Sequence, residues 1–236
     1  MYRPGNFNEL PVVVKNLLII NGLLFLATIS LSNLGIDLVK ILGLHQFQST
    51  DFRPHQLITH LFMHANFTHL FFNMFALWMF GKILENIWGQ KRFLIYYMIT
   101  GVGAAFIHLM ISQYQIISIG NEIPELVNIA IEGRYSPSVP LSKKLTQLII
   151  TPTVGASGAV FGLLLAFGML FPNALLYLYF AIPIKAKYFV IGYGILELYA
   201  GISNNPADNV AHFAHLGGMI FGYFLIKYWK KNTTFF

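Results

Sequence analysis

Residues 151–171 read TPTVGASGAVFGLLLAFGMLF, and this stretch decides the class of fold. It contains no Asp, Glu, Lys or Arg, and it belongs to a charge-free run of 40 residues from Leu145 to Ile184. A helix needs about 20 mostly apolar residues to cross a lipid bilayer. Because Pro152 and Gly155 interrupt regular structure, we predict that a membrane-spanning helix begins directly after them, at about residue 156.

The composition of the whole chain also indicates a membrane protein. Of its 236 residues, 56% are hydrophobic and 10% are charged, whereas soluble domains average roughly 45–50% and 25%. These values exclude a disordered chain, a nucleic-acid-binding domain built on charge, and an ordinary water-soluble enzyme. The chain has no cysteine, so its sequence offers neither disulfides nor a thiolate metal site.

Six apolar segments are predicted to be membrane-spanning helices, and they lie at about residues 16–34, 67–84, 93–112, 156–171, 186–201 and 209–227. Long outer loops are predicted at 36–66 and 113–153, the second with a short helix around Pro124–Ala130. The first apolar segment starts late and no small-residue cleavage site follows it, so we expect it to be retained. With no internal repeat or low-complexity tract, we expect an all-α, polytopic membrane bundle that forms one domain over residues 1–236.

The basic residues predict the orientation of this bundle. With a cytoplasmic N-terminus and six alternating spans, ten Lys and Arg fall on the cytoplasmic side and five on the outer side. Cytoplasmic loops carry such an excess, so both termini are predicted to be cytoplasmic. The net charge of +6 then reflects membrane topology and not binding to nucleic acid. The second, fourth and sixth spans begin at the outer surface.

Ser157 lies at the predicted outer end of the fourth span, within the sequence Gly155-Ala-Ser157-Gly158. A helix N-terminus offers backbone N–H groups without helical partners and the positive end of the helix dipole. A serine hydroxyl held there can attack a carbonyl carbon while those N–H groups stabilise the resulting oxyanion. Gly158 and Gly162 also have the small-xxx-small spacing of close helix packing, and packing alone would explain both glycines.

The sixth span carries the matching histidine in the sequence AHFAHLGGMIFG, residues 211–222. Gly218 and Gly222 repeat the small-xxx-small spacing, and His215 lies one turn before Gly218 on the same helix face. If the glycines of the fourth and sixth spans meet, His215 comes within hydrogen-bonding reach of Ser157. The sequence therefore predicts a serine–histidine pair without a fixed acidic third member.

Three other polar residues near this histidine leave alternatives open. His212 lies one further turn outward, and Asp208 shares its helical stripe, so Asp208 either orients His212 as in a catalytic triad or caps the helix in water. Glu197, inside the fifth span, is expected to form a hydrogen bond with a neighbouring helix.

A third cluster precedes and enters the second span, in the sequence HLFMHANFTHLFFN, residues 60–73. Asn66 is predicted to cap the helix. His69 then lies in the first turn, and Asn73 follows it four residues later on the same face, near the outer surface. His60 and His64 have the same spacing on the preceding segment.

These three motifs together resemble the rhomboid family of intramembrane serine proteases. The family's GxSG motif matches residues 155–158, its AHxxGxxxG motif matches residues 214–222, and its HxxxN motif matches residues 69–73. The matches fall in order along nearly the whole chain. The first outer loop departs from the family, because Phe52-Arg53 stands where members often carry Trp-Arg.

The resemblance implies the fold and the role of each site residue. It implies a Ser157–His215 catalytic dyad, and an oxyanion hole formed by His69, Asn73 and the Ser157 N–H. It implies serine endopeptidase activity on transmembrane protein substrates in a lipid bilayer, without a cofactor or metal. Supporting positions are Gly155, Gly158, Phe161, Gly218 and Gly222, of which Phe161 is expected to pack against the imidazole of the base. His60 and His64 are candidates for a water entrance.

Two other classes of function compete with this hypothesis. A membrane metalloenzyme or haem protein would use His60, His64 and His69 together with His212 and His215 as ligands, but it leaves the GxSG sequence unexplained. An inactive rhomboid-like protein would bind membrane clients without cutting them, although the presence of both Ser157 and His215 argues against it. The predicted location is a bacterial inner membrane, with the site open to the outer side. The sequence does not fix the oligomeric state.

Overall fold

The computed structural model describes residues 10–132, 134, 140–178, 181–203 and 210–232. The helices of this part of the chain are α1 (Val12–Ser32), α2 (Leu38–Leu42), α3 (Gln56–Thr59), α4 (Phe67–Ala76), α5 (Lys82–Glu122), α6 (Glu125–Ile131), α7 (Pro140–Ile150), α8 (Ser157–Leu170), α9 (Ala186–Ser203) and α10 (His212–Asn232). A 3-10 turn at His60–Phe62 follows α3, and a π-helical turn at Leu77–Gly81 joins α4 to α5. Two short strands, β1 (Leu175–Leu178) and β2 (Ile182–Lys185), precede α9.

The predicted helical character is confirmed, and each predicted span falls on a helix. Among the described residues, two helical stretches have the length and apolarity to cross a bilayer. They are α1, with a mean hydropathy of 2.1, and the continuous stretch Phe67–Glu122, with a mean hydropathy of 1.8. Helix α8 is apolar but shorter. The arrangement as six spans stays a prediction.

The third span differs most from its predicted bounds. The helical path from α4 continues into α5 and breaks at Gly89, where φ is 76° and ψ is 165°. A positive φ of this size favours glycine, and it turns the chain between the segments that were predicted to be the second and third spans. Helix α5 then runs to Glu122, well past the predicted end at residue 112. Ile116 and Ile119 account for this extension, because they pack with residues of α6 and α7 in a separate small core. Much of the predicted loop 113–153 is therefore helical.

The all-α prediction missed a β-hairpin between α8 and α9. Strands β1 and β2 are antiparallel, with Leu175 opposite Lys185 and Leu178 opposite Ile182. Both strands lie in or beside the long charge-free run, where apolar character alone does not separate a strand from a helix. Pro183 within β2 lacks the backbone N–H that a continuing helix would need.

Helices α5, α8 and α10 pack together at the centre of the bundle. A Cβ atom added to Gly218 of α10 would overlap the Gly158 carbonyl of α8, so the two backbones are in direct contact. Tyr96 of α5 donates a hydrogen bond of 2.8 Å from its hydroxyl to the Gly162 carbonyl. The close approach on which the pairing of Ser157 with His215 depends therefore occurs at Gly158 and Gly218, while Gly162 and Gly222 lie against α5.

Helix α1 is held to this centre by a buried carboxylate. Glu85 of α5 accepts hydrogen bonds from the backbone N–H groups of Val13 and Val14, at 2.9 and 2.8 Å. These N–H groups belong to the first turn of α1 and have no helical partner. Most of the remaining α1 surface is apolar and exposed, for example Leu23 at 61% and Leu26 at 60%, as expected for a lipid-facing helix.

The loop between α1 and α4 supports the segment that precedes α8. Leu44 and Thr153 exchange two backbone hydrogen bonds of 2.9 and 2.8 Å, and the Gly155 N–H donates to the His60 carbonyl at 2.9 Å. His108 of α5 contacts the same segment, with its Nε2 atom 2.9 Å from the Thr153 hydroxyl. These contacts fix the position at which α8 starts, and with it the position of Ser157.

Candidate active site

The hydroxyl of Ser157 and the imidazole of His215 form a hydrogen bond. Ser157 is the first residue of α8, and its Oγ atom lies 2.9 Å from Nε2 of His215 in the first turn of α10. The approach of the two helices at Gly158 and Gly218 makes this distance possible. His215 is 8% exposed, whereas Ser157 is half-buried.

The start of α8 places the first backbone N–H groups of this helix beside the pair. The residue before Ser157, Ala156, provides no side-chain cap. The first N–H groups of any α-helix have no intrahelical partner, and here they create a positive potential at the serine. Gly155, with a φ of 126°, turns the chain into the helix in a conformation that L side chains rarely adopt.

His69 lies against the same turn. A Cβ atom added to Gly155 would come within 2.6 Å of Cε1 and 2.7 Å of Nε2 of His69, so the imidazole rests on the glycine backbone. Helix α4 positions it, because the Asn66 side chain accepts a hydrogen bond from the His69 N–H at 2.8 Å, as the predicted cap requires. Asn73 is 5% exposed and donates from Nδ2 to the His69 carbonyl at 2.9 Å.

The ring of Phe161 stacks on the imidazole of His215. Their centroids are 4.1 Å apart and their planes differ by 5°. Phe161 lies one helical turn after Ser157 in α8, which brings the ring to the level of the imidazole. Phe161 also packs against Tyr193 of α9, and the centroids of these two rings are 5.2 Å apart. The aromatic packing fixes the plane of the His215 ring.

Glu197 contacts two histidines, and the sequence did not predict which residues it would contact. One carboxylate oxygen, Oε2, lies 2.8 Å from Nδ1 of His215 and 2.7 Å from Nδ1 of His212. The Glu197 side chain is 9% exposed. The sequence predicted only a hydrogen bond to some neighbouring helix. The available signal was that Glu197 is the one acidic residue within the predicted fifth span. Asp208, the alternative acid, lies outside the described residues.

The same three side chains form a group with the composition of a metal site. The ligand atoms of Glu197, His212 and His215 all lie within 4.8 Å of one another. Ligands of a tetrahedral zinc ion with bonds of about 2.0–2.1 Å lie roughly 3.3 Å apart. The N–O separations of 2.7 and 2.8 Å are shorter and match direct hydrogen bonds. In the described part of the chain, the predicted alternative ligands His60, His64 and His69 do not form such a group.

His60 and His64 lie next to this site but are buried, at 4% and 2% exposure. Nδ1 of His60 lies 2.8 Å from the Gln56 carbonyl, and the ring of His64 meets that of His69 edge to face, with centroids 5.1 Å apart. Burial lowers the pKa of His60 to about 4. Burial, and then the electrostatic effect of His69, lowers the pKa of His64 to about 3. Both rings are neutral at pH 7, and their role at a water entrance stays a prediction.

These lowered pKa values predict a loss of stability in mild acid. The unfolded chain takes up protons at histidine below a pKa of about 6.5, whereas the folded protein resists protonation down to about 4 at His60 and about 3 at His64. The contribution of these two histidines to stability is therefore fully present only well above pH 6.5, and it falls as the pH decreases through 6.5 toward the lower pKa values of the folded protein. Between pH 7 and pH 5, each residue is expected to remove about 2 kcal/mol from the free energy of unfolding.

The variant His64→Phe tests this prediction through unfolding in detergent at several pH values. Among the described residues, neither ring nitrogen of His64 meets a hydrogen-bond partner, so phenylalanine is expected to preserve most of the stability at pH 7. Between pH 7 and pH 5, the free energy of unfolding is expected to fall by about 2 kcal/mol less in the variant than in wild type. If the variant and wild type lost the same free energy of unfolding between pH 7 and pH 5, the lowered pKa of His64 would be contradicted.

The fold and the site define a helical, membrane-type protein with a serine–histidine pair at the N-terminal ends of two central helices. The sequence model of the rhomboid domain matches residues 51–231, which is most of the chain. The chain therefore belongs to the rhomboid family, and it is an integral membrane protein.

Individual relatives come from both organelles and bacteria. The chain is 31% identical over 181 residues to the mitochondrial RHOMBOID-like protein 12 of Arabidopsis thaliana, covering 75% of this chain and 46% of the relative. It is 28% identical over 186 residues to the mitochondrial Rhomboid protein 1 of Saccharomyces cerevisiae, covering 75% and 43%. It is 27% identical over 176 residues to Rhomboid protease GluP of Bacillus subtilis, covering 72% and 25%.

The chain corresponds to only a part of each of these relatives. The matched part spans less than half the length of each of the three. Two of them are mitochondrial and one is bacterial. The predicted bacterial inner membrane is therefore not supported by the relatives, although residence in a membrane is.

Proposed function

We propose that the protein is an intramembrane serine endopeptidase that hydrolyses peptide bonds in or near the transmembrane segments of other membrane proteins. The observation that carries this proposal is the 2.9 Å contact between Ser157 Oγ and His215 Nε2 at the N-terminus of α8. Membership of a family that includes a protein named a protease supports it.

In the proposed mechanism, Nε2 of His215 removes the hydroxyl proton as Ser157 Oγ attacks the carbonyl carbon of the substrate. The imidazolium then gives this proton to the departing amine, and the peptide bond breaks to leave an acyl-enzyme. Water, activated by the same imidazole, hydrolyses the ester and releases Ser157. The stacked ring of Phe161 keeps the imidazole in one plane through these transfers.

The tetrahedral intermediates carry a negatively charged oxygen, and we assign three hydrogen-bond donors to it. They are the Ser157 N–H, the side chain of His69 and the amide of Asn73. The uncapped helix N-terminus supports the first assignment, and the contact of His69 with Gly155 supports the second. Such preorganised donors are often worth about 10²–10³-fold each in rate.

The proposed membrane arrangement has six spans with both termini on the cytoplasmic side, and the site opens to the outer side. Ser157, His215 and His69 all lie in the first turn of their helices, at ends that this topology assigns to the outer surface. Water is required for hydrolysis and is available there. A substrate helix has to unwind before its peptide bond reaches Ser157, so we expect small or helix-breaking residues near the cut.

An inactive protein that binds membrane clients is the alternative within the same family. Both alternatives predict binding of a transmembrane segment, but only the protease converts it to two products. The formation of products is therefore the discriminating observation.

The test is the cleavage of a tagged single-span reporter by purified protein in liposomes. Wild type is expected to produce two fragments, with equal rates in the presence and absence of a metal chelator. Ser157→Ala is expected to bind the reporter without cutting it. Binding by wild type without any cleavage would support the client-binding alternative, and loss of cleavage in chelator would support a metal-dependent mechanism.

A further inference from the structure

We propose that Glu197 is a positioning residue that completes a Ser157–His215–Glu197 triad across helices α8, α10 and α9. The inference rests on the proposed peptidase function and adds to the serine–histidine pair an acid from a third helix. It starts from the contact of 2.8 Å between Glu197 Oε2 and His215 Nδ1, on the side of the ring opposite the serine.

The contact determines which nitrogen of His215 carries the proton. A carboxylate oxygen accepts hydrogen bonds and does not donate them. Nδ1 of His215 is therefore the protonated nitrogen, and Nε2 presents its lone pair to the hydroxyl of Ser157 at 2.9 Å. This is the tautomer that a general base needs, because Nε2 has to accept the serine proton.

The contact also fixes how the ring is turned. Stacking on Phe161, with planes only 5° apart, sets the plane of the imidazole but allows rotation within that plane. Hydrogen bonds at Nδ1 and Nε2 remove this freedom, since each points along the edge of the ring. When the imidazole becomes an imidazolium during the reaction, the carboxylate also stabilises its charge.

His212 holds the carboxylate itself. Its Nδ1 atom donates to the same Oε2 atom at 2.7 Å, so the oxygen receives two hydrogen bonds from residues three positions apart at the start of α10. A carboxylate within an apolar span is costly unless it is paired and hydrogen-bonded. The two imidazole donors meet this requirement and explain why Glu197 is tolerated at 8% exposure. In this arrangement His212 supports Glu197 and does not contact Ser157.

Three variants separate positioning from simple structural support. Glu197→Gln keeps the shape but removes the charge and can offer an N–H to Nδ1, which favours the wrong tautomer. It is expected to lower kcat of reporter cleavage by about 10²–10⁴-fold with KM changed by less than about threefold. Glu197→Asp keeps the charge and is expected to recover part of this loss. His212→Ala removes the donor to Glu197 that does not belong to the base. It is expected to lower kcat by less than Glu197→Gln does.

Glu85→Gln is the matched control, because Glu85 is also a buried carboxylate with two hydrogen-bond donors, but it holds α1 and lies outside the site. It is expected to lower the thermal stability and leave kcat within about twofold, since losing a charge-assisted hydrogen bond affects folding and not the reacting groups. Rates are compared at a temperature where every variant is folded.

A spectroscopic measurement tests the triad independently of activity. In ¹⁵N-histidine NMR of the protein in detergent, wild type is expected to show His215 with a protonated Nδ1 and an unprotonated Nε2. Glu197→Gln is expected to show the other tautomer or a mixture. A kcat of Glu197→Gln within threefold of wild type, or an unchanged tautomer, would overturn the inference while leaving the proposed function intact. A wild type that never cuts the reporter would instead overturn the proposed function, and the NMR result would still report on Glu197.

Discussion

If the proposed function holds, replacement of Ser157 by alanine, or of His215 by alanine, is expected to lower kcat for reporter cleavage by about 10⁴–10⁶-fold, which is the size of loss found in characterised serine proteases. The two side chains are joined by a hydrogen bond of 2.9 Å, and in the proposed mechanism they act on a single proton. Without the hydroxyl no acyl-enzyme forms, and without the imidazole the hydroxyl is a weak nucleophile at neutral pH.

The double variant distinguishes this joint action from two separate effects. Residues that act as a unit have strongly non-additive effects, so Ser157→Ala/His215→Ala is expected to be no slower than the worse single variant. Independent contributions would instead multiply, and that outcome would contradict the dyad. The rates are measured with purified proteins in liposomes, after thermal unfolding has shown that each variant is folded.

Gly218→Ala is expected to lower both stability and activity, although glycine 218 never contacts the substrate in the proposed mechanism. An added Cβ atom would overlap the Gly158 carbonyl, so α8 and α10 would have to separate. Overpacking of this kind costs about 1–3 kcal/mol. A displacement of about 1 Å between the reacting groups can lower a rate by about 10²-fold. We therefore expect a lower melting temperature and a fall in kcat of at least that size.

Gly22→Ala is the matched control in α1, where an added Cβ atom meets nothing within 4 Å. Alanine is favoured over glycine within a helix by about 1 kcal/mol, so this control is expected to be as stable as wild type or slightly more stable, with unchanged cleavage. Wild-type stability and rate in Gly218→Ala would show that the close contact of α8 and α10 is not required.

Much of the fold and of the site geometry follows from local sequence signals. Apolar segments of sufficient length predicted the helices, and Asn66 predicted the start of α4. The small-xxx-small spacing predicted the meeting of α8 and α10, because glycines remove the side chains that keep helices apart. The positions of Ser157 and His215 in the first turns of these helices then follow from the same spacing.

The features that the sequence did not predict depend on contacts between distant segments. The extension of α5 is stabilised because Ile116 and Ile119 pack against α6 and α7. The sequence pattern of α5 alone does not predict this packing. The imidazoles that donate to Glu197 belong to His212 and His215 of α10, which follow Glu197 by 15 and 18 residues in the sequence. The periodicity of α9 gives no information about contacts with residues so far along the chain. Thr153 and Leu44 likewise pair only because the loop between α1 and α4 folds back onto the segment before α8.

The most direct measurement is the site of covalent labelling by a fluorophosphonate, a reagent that phosphonylates serines activated as nucleophiles. Purified protein in detergent is incubated with the reagent, and the adduct is located by intact mass and peptide mapping. We predict one adduct per chain, on Ser157, absent from Ser157→Ala and formed far more slowly in His215→Ala. Labelling of a different serine, equal labelling of His215→Ala, or a wild type that cuts the reporter while remaining unlabelled would contradict the assignment of Ser157 as the nucleophile.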